Sequence, residues 1–186
     1  MAPGAQRLLL IAHPDTPGDR VWSIAAQVQL EAPMALVCHY SLHGEVERLR
    51  VPAARAGRHA DGLWEHTCFE VFAAAPAARG YYEFNFSPSL EWAAYRFDDY
   101  RDGMAPASLA RAPGLQARKG PDRLELSATV HLEGLADLAR APVLRLALTA
   151  VVEDDRGGLS YWALGHPPGN PDFHHPQGFA LELQPS

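Results

Sequence analysis

The feature that most constrains this chain is a strict alternation of apolar and polar residues over several long runs. Apolar side chains occupy every second position within residues 22–30, 34–42, 124–132 and 144–152. Successive side chains of a β-strand point to opposite faces of a sheet, so a period of two predicts strands with one buried face. A helix would repeat its apolar positions every three or four residues. The pattern therefore predicts a protein built from β-sheet.

Shorter runs complete the predicted sheet. They are residues 8–12, 64–74, 81–87, 91–97, 159–164 and 178–184. Segments rich in Pro, Gly and Asp separate the runs, as expected for turns between antiparallel strands. One short helix is predicted over Gly134–Arg140, and residues 102–120 are interpreted as a long surface loop. We predict an all-β fold, an antiparallel β-sandwich or jelly roll of about nine or ten strands with at most one short helix.

Length and composition limit the protein to one domain and exclude some classes of function. The 186 residues are 47% hydrophobic and 20% charged, which predicts a single globular domain over residues 1–186. The net charge of -6 disfavours a nucleic-acid-binding role, because such proteins need a basic face. No apolar stretch approaches the roughly 18 residues of a membrane span, so no membrane role is predicted. The oligomeric state is left open.

The cysteines and the first apolar run favour a cytoplasmic protein. Residues 8–12 are apolar, but the run is shorter than the hydrophobic core of a secretory signal, so it is interpreted as a first strand. Cys38 and Cys68 both lie in apolar, strand-like runs. We expect them to be reduced core residues rather than a disulfide.

A glutamate stands out in the apolar run 63–72. In a strand, His66 and Glu70 share one face with Cys68. Burying a glutamate without a partner is costly, so Glu70 is expected to face solvent, a partner or a ligand cavity. Trp64, at the start of the same run, could provide an aromatic surface beside it. The alternative is an exposed sheet face, because antiparallel sheets often keep one side wet.

A second run combines aromatic and polar residues. Asn85 points to the opposite face from Phe84 and Phe86, and the short connection Ser87–Ser89 predicts a hairpin. That hairpin is expected to bring three side chains beside Asn85, namely Trp92, Tyr95 and Arg96. Aromatic rings flanked by polar groups suit a sugar, whose C–H face packs on rings while its hydroxyls need polar partners. The alternative is that these aromatic residues belong to the core.

The third candidate is the proline-rich segment Gly165–Pro176. Its prolines restrict the loop, and a rigid loop can hold functional side chains, here His166, Phe173, His174 and His175. Histidine is a common metal ligand, but the spacing matches no established metal signature. The alternatives are histidines that line a ligand pocket or that hydrogen-bond the backbone.

Catalytic motifs are not evident. The sequence lacks a G-x-S-x-G elbow, a phosphate-binding P-loop and a dinucleotide-binding glycine motif. Four glutamates could supply a carboxylate pair for glycoside hydrolysis, namely Glu65, Glu70, Glu83 and Glu91. Nothing in the sequence specifies their separation, so no catalytic residue is assigned.

Three stretches of the chain resemble a known family. LWEHTCFEVF, YYEFNFSPSLEWAAYRFDDYR and SYWALGHPPGNPDFHHPQGFALEL resemble bacterial DOMON-like proteins, relatives of the family-nine carbohydrate-binding modules. The resemblance extends over most of the chain from about Trp22 onward. It implies a β-sandwich with a ligand site on one sheet or at one end, and it associates the chain with binding sugars or haem.

The leading prediction is a non-enzymatic domain that binds a small ligand, with a sugar or sugar-like metabolite as the first expectation. Trp64, Trp92 or Tyr95 would stack on the ligand, and the segment with His166, Phe173, His174 and His175 would form a rim. Hydrogen bonds would come from Glu70, Asn85 and Arg96. No cofactor is required. The alternatives are haem or a divalent metal held by His66, His174 or His175, and an enzyme that uses a histidine with Glu70.

Overall fold

In the computed structural model, which describes residues 7–76 and 78–184, the chain forms thirteen strands and one short helix. The strands are β1 Leu8–Ala12, β2 Val21–Glu31, β3 Ala35–Gly44, β4 Arg58–His59, β5 Cys68–Ala74, β6 Tyr81–Phe86, β7 Glu91–Phe97, β8 Ala105–Pro106, β9 Gly114–Lys119, β10 Arg123–His131, β11 Leu144–Glu153, β12 Leu159–Ala163 and β13 Leu181–Leu183. The helix α1 is Ala136–Ala139, and 3₁₀ turns occupy Val46–Arg48, Leu63–Glu65 and Pro176–Gly178.

Hydrogen bonds join the strands into one curled sheet, in the order β4-β7-β6-β5-β11-β12-β1-β2-β3-β10-β9. Strand β1 joins its two halves, because Leu8–Leu10 pair with β2 and Ile11–Ala12 pair with β12. We call β1-β2-β3-β10-β9 sheet I, and β12, β11, β5, β6, β7 and β4, with β13 on β11 and β8 on β7, sheet II.

The two sheets pack face to face around one apolar core. Ile24, Leu36 and Leu126 of sheet I belong to the same buried cluster as Phe69 and Phe84 of sheet II. A contact across the core joins the sheets directly, since the Tyr40 hydroxyl donates a hydrogen bond of 2.6 Å to the Glu70 carbonyl oxygen. This arrangement is consistent with the predicted sandwich or jelly roll.

Strand number and direction differ from the sequence prediction. Residues 102–120, predicted as a loop, contain the short β8 and the six-residue β9. Strand β4 was also missed, and it runs parallel to β7, so the sheet is mixed rather than purely antiparallel. Two-residue strands are too short to show an alternation, which explains why the sequence did not predict β4 and β8.

The fold also tests what the sequence predicted for the short helix, for Trp22 and for the two cysteines. The short helix falls inside the predicted segment Gly134–Arg140. Trp22, predicted at the start of an inward-facing run, is instead 64% exposed, because an irregularity between Val21 and Ser23 shifts the register of β2 against β3. Cys38 and Cys68 are buried free thiols, as predicted. No helix among the described residues is long and apolar enough to cross a membrane.

Candidate functional site

The outer face of sheet II carries polar side chains that solvent hardly reaches. In β5 and β6, Phe69 and Phe84 point into the core, so the alternating neighbours Glu70, Glu83 and Asn85 point outward. Yet these three residues are only 2%, 4% and 0% exposed. Something must therefore cover this face of the sheet, which we call the covered face.

Three chain segments cover it and enclose a pocket of about 360 Å³. They are the turn with Trp64, the connection after β7 with Arg101 and Met104, and the loop between β12 and β13. The pocket is lined by Trp64, Glu70, Phe72, Glu83, Phe97, Arg101, Met104, Val151, Tyr161, Pro171, Phe173 and His174. Apolar and aromatic walls above a few buried polar groups are the common composition of a small-molecule site.

The floor of the pocket presents hydrogen-bond acceptors that lack donors. Glu70 lies opposite Asn85 on one side and opposite Thr149 on the other. The Thr149 hydroxyl donates a 3.1 Å hydrogen bond to Glu70 Oε2, and Asn85 Nδ2 donates a 2.7 Å bond to Glu83 Oε1. Glu70 Oε1 and Asn85 Oδ1 are buried and have no hydrogen-bond partner among the described residues. Buried polar atoms are nearly always satisfied, so these two acceptors point to a ligand.

Burial alters the ionisation of the two floor carboxyls. It raises the pKa of Glu70 well above its usual range, and the nearby charge of Glu83 raises it further. It also raises the pKa of Glu83 to about 7, although the hydrogen bond from Asn85 and the positive charge of Arg101 oppose the shift. The two floor carboxyls therefore hold protons at pH values where an exposed glutamate is ionised.

His174 reaches the floor from the loop that covers it. The backbone N–H of Arg101 donates to the Tyr81 hydroxyl at 3.2 Å, which leaves the Tyr81 proton free to be donated to His174 Nδ1 at 2.8 Å. His174 Nε2 then carries the ring proton and lies 3.8 Å from Glu83 Oε2. Burial lowers the pKa of His174 to about 4, so the ring is neutral at pH 7.

Asp172 ties two of the covering segments together. It accepts a 2.7 Å bond from Arg101 Nη2, a hydrogen bond from the Tyr100 hydroxyl and a 3.1 Å bond from the backbone N–H of His174. These contacts join the connection after β7 to the loop after β12. The pocket rim is therefore held in place by side-chain hydrogen bonds rather than by strand pairing.

Five of the residues singled out in the sequence meet at or beside the pocket. Trp64, Glu70, Phe173 and His174 line it, and Asn85 is part of its floor. A sixth, Tyr95, has a supporting position instead: its ring lies 5.7 Å from that of Trp64, edge to face. Its hydroxyl donates a 2.6 Å bond to Asp61, in the segment that leads into the Trp64 turn.

Two of the predicted residues lie on the opposite face of sheet II. In the β6–β7 hairpin, Asn85 pairs with Ala93 and Phe86 pairs with Trp92. Trp92 therefore packs against the core, and Arg96 on the same face is exposed and forms an ion pair with Asp98. The expectation that both would lie beside Asn85 was wrong, because a shift of one residue reverses the face of every side chain in a strand.

Three of the predicted histidines lie outside the pocket. His66 Nδ1 is 2.7 Å from Glu153 Oε2, and its side chain is largely exposed. His166 Nε2 is 2.9 Å from the Ile11 carbonyl oxygen, and His175 Nδ1 accepts from the backbone N–H two residues later. In the part of the chain that the structure describes, no group of three or more His, Cys, Asp or Glu side chains could hold a metal ion. The haem alternative, which needs one axial histidine, stays a prediction.

Several pocket residues were not among the predicted site residues. Glu83 was named only as one of four glutamates for a carboxylate pair, although it alternates with Phe84 as Asn85 does. Arg101 and Met104 had no such signal, since they lie in an irregular connection whose path depends on contacts with a distant loop. Tyr161 was treated only as part of a strand, although it points into the pocket from β12.

Comparison with known proteins identifies the fold. No protein-family model matches the chain, and no curated protein matches it either. Among solved structures, it is similar to a candidate carbohydrate-binding protein from Bacteroides uniformis, with a TM-score of 0.75, 14% identity, and coverage of 98% of this chain and 87% of that one.

The chain is also similar to a family-nine carbohydrate-binding module from Caldicellulosiruptor kristjanssonii. The complex of that module with glucose gives a TM-score of 0.51 at 11% identity, and covers 88% of this chain and 76% of the module. Its complex with cellotriose gives 0.51 at 11% identity, with 87% and 74% covered. The relation to DOMON-like proteins stays a prediction. The chain therefore shares the β-sandwich fold of family-nine carbohydrate-binding modules.

Proposed function

We propose that this protein is a non-enzymatic binding domain for a small sugar or sugar-like metabolite, and that the pocket on the covered face is its binding site. The observation that carries the proposal is the pair of buried oxygen atoms without a hydrogen-bond partner among the described residues, Glu70 Oε1 and Asn85 Oδ1. A buried acceptor that gains a hydrogen bond recovers the cost of its desolvation. Sugar hydroxyls can donate such bonds at the floor.

The pocket walls support the same ligand class. Trp64, Tyr161 and Phe173 line the pocket above the floor, and the rings of Tyr161 and Phe173 lie 5.9 Å apart. Aromatic faces pack on the C–H surface of a sugar ring, while the polar floor fixes the orientation of its hydroxyls. Two of the solved structures with this fold contain glucose and cellotriose, which agrees with a sugar ligand.

The position of the glutamates supports binding rather than hydrolysis. Glycosidases place their two carboxyl groups on opposite sides of the scissile bond. Here Glu70 and Glu83 come from the adjacent strands β5 and β6 and are diagonal neighbours on one floor, since Glu70 pairs with Asn85 and Glu83 pairs with Phe72. In this arrangement, both carboxyls would contact the same side of a bound ligand.

The proposal extends to the setting of the protein. We infer that residues 1–186 act as one ligand-binding domain in the cytoplasm, without a nucleic-acid or membrane partner. The free thiols of Cys38 and Cys68 support a reducing compartment, and the net charge of -6 disfavours nucleic acid.

The test is isothermal titration calorimetry of the purified protein with a panel of monosaccharides and disaccharides. Any sugar that binds is then titrated into two tryptophan variants. Trp64→Ala removes a wall of the pocket and is expected to weaken binding at least about tenfold, which corresponds to about 1.4 kcal/mol. Trp64 is 37% exposed, so its loss should leave the fold intact. Trp22→Ala, in sheet I, is the matched control and should bind as the wild type does.

Two results would contradict the proposal. One is the absence of binding by every sugar in the panel. The other is a sugar that binds Trp64→Ala and the wild type with equal affinity, because its site would then lie elsewhere.

A further inference from the structure

The charge balance of the pocket floor narrows the ligand class. We propose that the sugar recognised here carries an ammonium group, as an amino sugar does, and that Glu70 and Glu83 hold this group between them. This inference rests on the proposed function, because it assigns the ligand class of the same pocket.

Two carboxyls share the floor without a matching cation. Among the described residues, neither Glu70 nor Glu83 forms an ion pair with a lysine or arginine. Arg101 is the one basic side chain lining the pocket that is charged at neutral pH, and it already pairs with Asp172 at 2.7 Å. His174, the other basic group, is neutral at pH 7 because burial lowers its pKa. A positive charge on the ligand would replace the protons that burial keeps on these carboxyls and would balance their negative charge once they ionise.

The hydrogen-bonding groups of the floor also match an ammonium group. When Glu70 is ionised, the two unpartnered atoms, Glu70 Oε1 and Asn85 Oδ1, are both acceptors. An ammonium group has three donors and no acceptor, whereas a hydroxyl brings acceptor lone pairs that also need partners. Hydrogen bonds between charged partners are about twice as strong as neutral ones. The floor can therefore satisfy an ammonium group more completely than a hydroxyl.

The walls favour a cation as well. Trp64, Tyr161 and Phe173 surround the space above the floor, and Phe72 lies beside it with 1% exposure. A cation within about 6 Å of an aromatic ring face is attracted by the ring quadrupole. Taking a charge out of water is costly unless it is paired, and this pocket supplies both carboxylates and rings.

Binding of a cation to this floor should be linked to pH. Other titratable groups face or surround the two glutamates from the neighbouring elements. They are Cys68 of β5, Tyr81 of β6, Tyr95 of β7, Arg101 of the connection after β7, Tyr161 of β12, and Asp172 and His174 of the following loop. A cation favours the ionised carboxyls, so its affinity should fall as the pH is lowered from about 7 and the floor regains protons.

The experiment compares matched sugars by isothermal titration calorimetry at pH 7.5. Each set contains a neutral sugar, its 2-amino derivative and its N-acetylated derivative, for example glucose, glucosamine and N-acetylglucosamine, with the corresponding galacto and manno sets. For at least one set, the amino sugar should bind about tenfold more tightly than the neutral sugar or more. The N-acetylated sugar, which keeps the nitrogen but loses the charge, should lose this gain. At pH 5.5 the advantage of the amino sugar should decrease.

Two variants connect the preference to the floor. Glu70→Gln and Glu83→Gln keep the shape of the side chain but remove its charge. In each variant, the ratio of the affinity for the amino sugar to that for the neutral sugar should fall toward one. Glu125→Gln changes a partly exposed glutamate of sheet I and should keep the wild-type ratio. Thermal unfolding of each variant verifies that it is folded.

The outcomes separate this inference from the proposed function. If neutral and amino sugars bind with equal affinity and binding depends on Trp64, the inference is overturned and the proposed function stands. If no sugar of either kind binds, both are overturned. If methylammonium alone binds as tightly as glucosamine, the sugar ring contributes nothing, and the inference is likewise overturned.

Discussion

The outer faces of the two sheets differ although the same alternation produces both. On sheet I, outward residues such as Gln27, His39 and Thr129 are partly exposed, and His39 forms a 2.9 Å hydrogen bond with the Ser127 hydroxyl. We call this the open face. On sheet II, the equivalent positions hold Glu70, Glu83 and Asn85, which are almost completely buried.

The difference shows what makes a polar residue informative. A polar side chain on the open face is hydrated, so its position in the folded protein costs little free energy and needs no ligand to explain it. A carboxyl on the covered face has lost its water and is satisfied only in part by protein groups, which is costly unless a ligand completes its contacts. The covering loops, rather than the strands, create this distinction.

The largest expected difference between the faces is in the free energy of unfolding that is lost when an aromatic side chain is removed. Phe72 is 1% exposed on the covered face and contacts the rings of Tyr81, His174 and Phe179 at 5.2–6.3 Å. Phe72→Ala should lower the free energy of unfolding by about 3–5 kcal/mol. Trp22→Ala, which removes an exposed ring from sheet I, should change it by less than about 0.5 kcal/mol. Urea unfolding followed by circular dichroism measures both. Equal effects would show that the covered face is not packed as a second core.

The second prediction concerns pH. The pKa of Glu83 is about 7 in the folded protein and about 4.5 in the unfolded chain. Between these two pH values the folded state binds more protons than the unfolded state. The contribution of protonated Glu83 to the free energy of unfolding is therefore complete below about pH 4.5 and is lost as the pH rises through about 7. The loss is at most about 1.4 kcal/mol per pH unit, so about 2–3 kcal/mol over the window.

Glu83→Gln removes this contribution, together with the effect of the Glu83 charge on Glu70. Its stability relative to the wild type should rise between pH 5 and pH 8, as measured by urea unfolding at several pH values. His174 has the opposite dependence, because its pKa is lowered to about 4 in the folded state, but it is present in both proteins and largely cancels in the difference. Glu125→Gln in sheet I is the matched control. Parallel pH profiles for Glu83→Gln and the wild type would contradict the burial of this carboxyl.

The smallest expected change in the free energy of unfolding comes from the removal of a single hydroxyl group on the covered face. Among the described residues, Thr149 donates the one side-chain hydrogen bond that reaches the carboxyl group of Glu70. Thr149→Val keeps the shape but removes this donor, and should destabilise the protein by about 1–2 kcal/mol. The same change at Thr129, on the open face, should have almost no effect because water replaces the lost contacts. Similar values for the two variants would remove the distinction between the faces at this position.

Much of the sheet could be predicted from local alternation. The runs that contain β2, β3, β10 and β11 followed from period two, and so did the outward orientation of Glu70 and Asn85. The face on which Trp92 and Arg96 lie could not be predicted from the alternation. It depends on the register of the β6–β7 hairpin, which the turn sequence left ambiguous. Strand β9 was missed because its alternation is weak and it lies at the edge of sheet I.

The sequence by itself determined the class of fold and which residues share a face within each long strand, because both follow from side-chain period and turn composition. Only the tertiary structure decided that one outer face is closed by Trp64, Arg101 and Phe173, and that Glu83 and His174 meet there. These contacts join segments far apart in the chain, such as the Tyr81–His174 hydrogen bond. Such pairings depend on how the loops cross the sheet, and no local pattern in the sequence encodes that path.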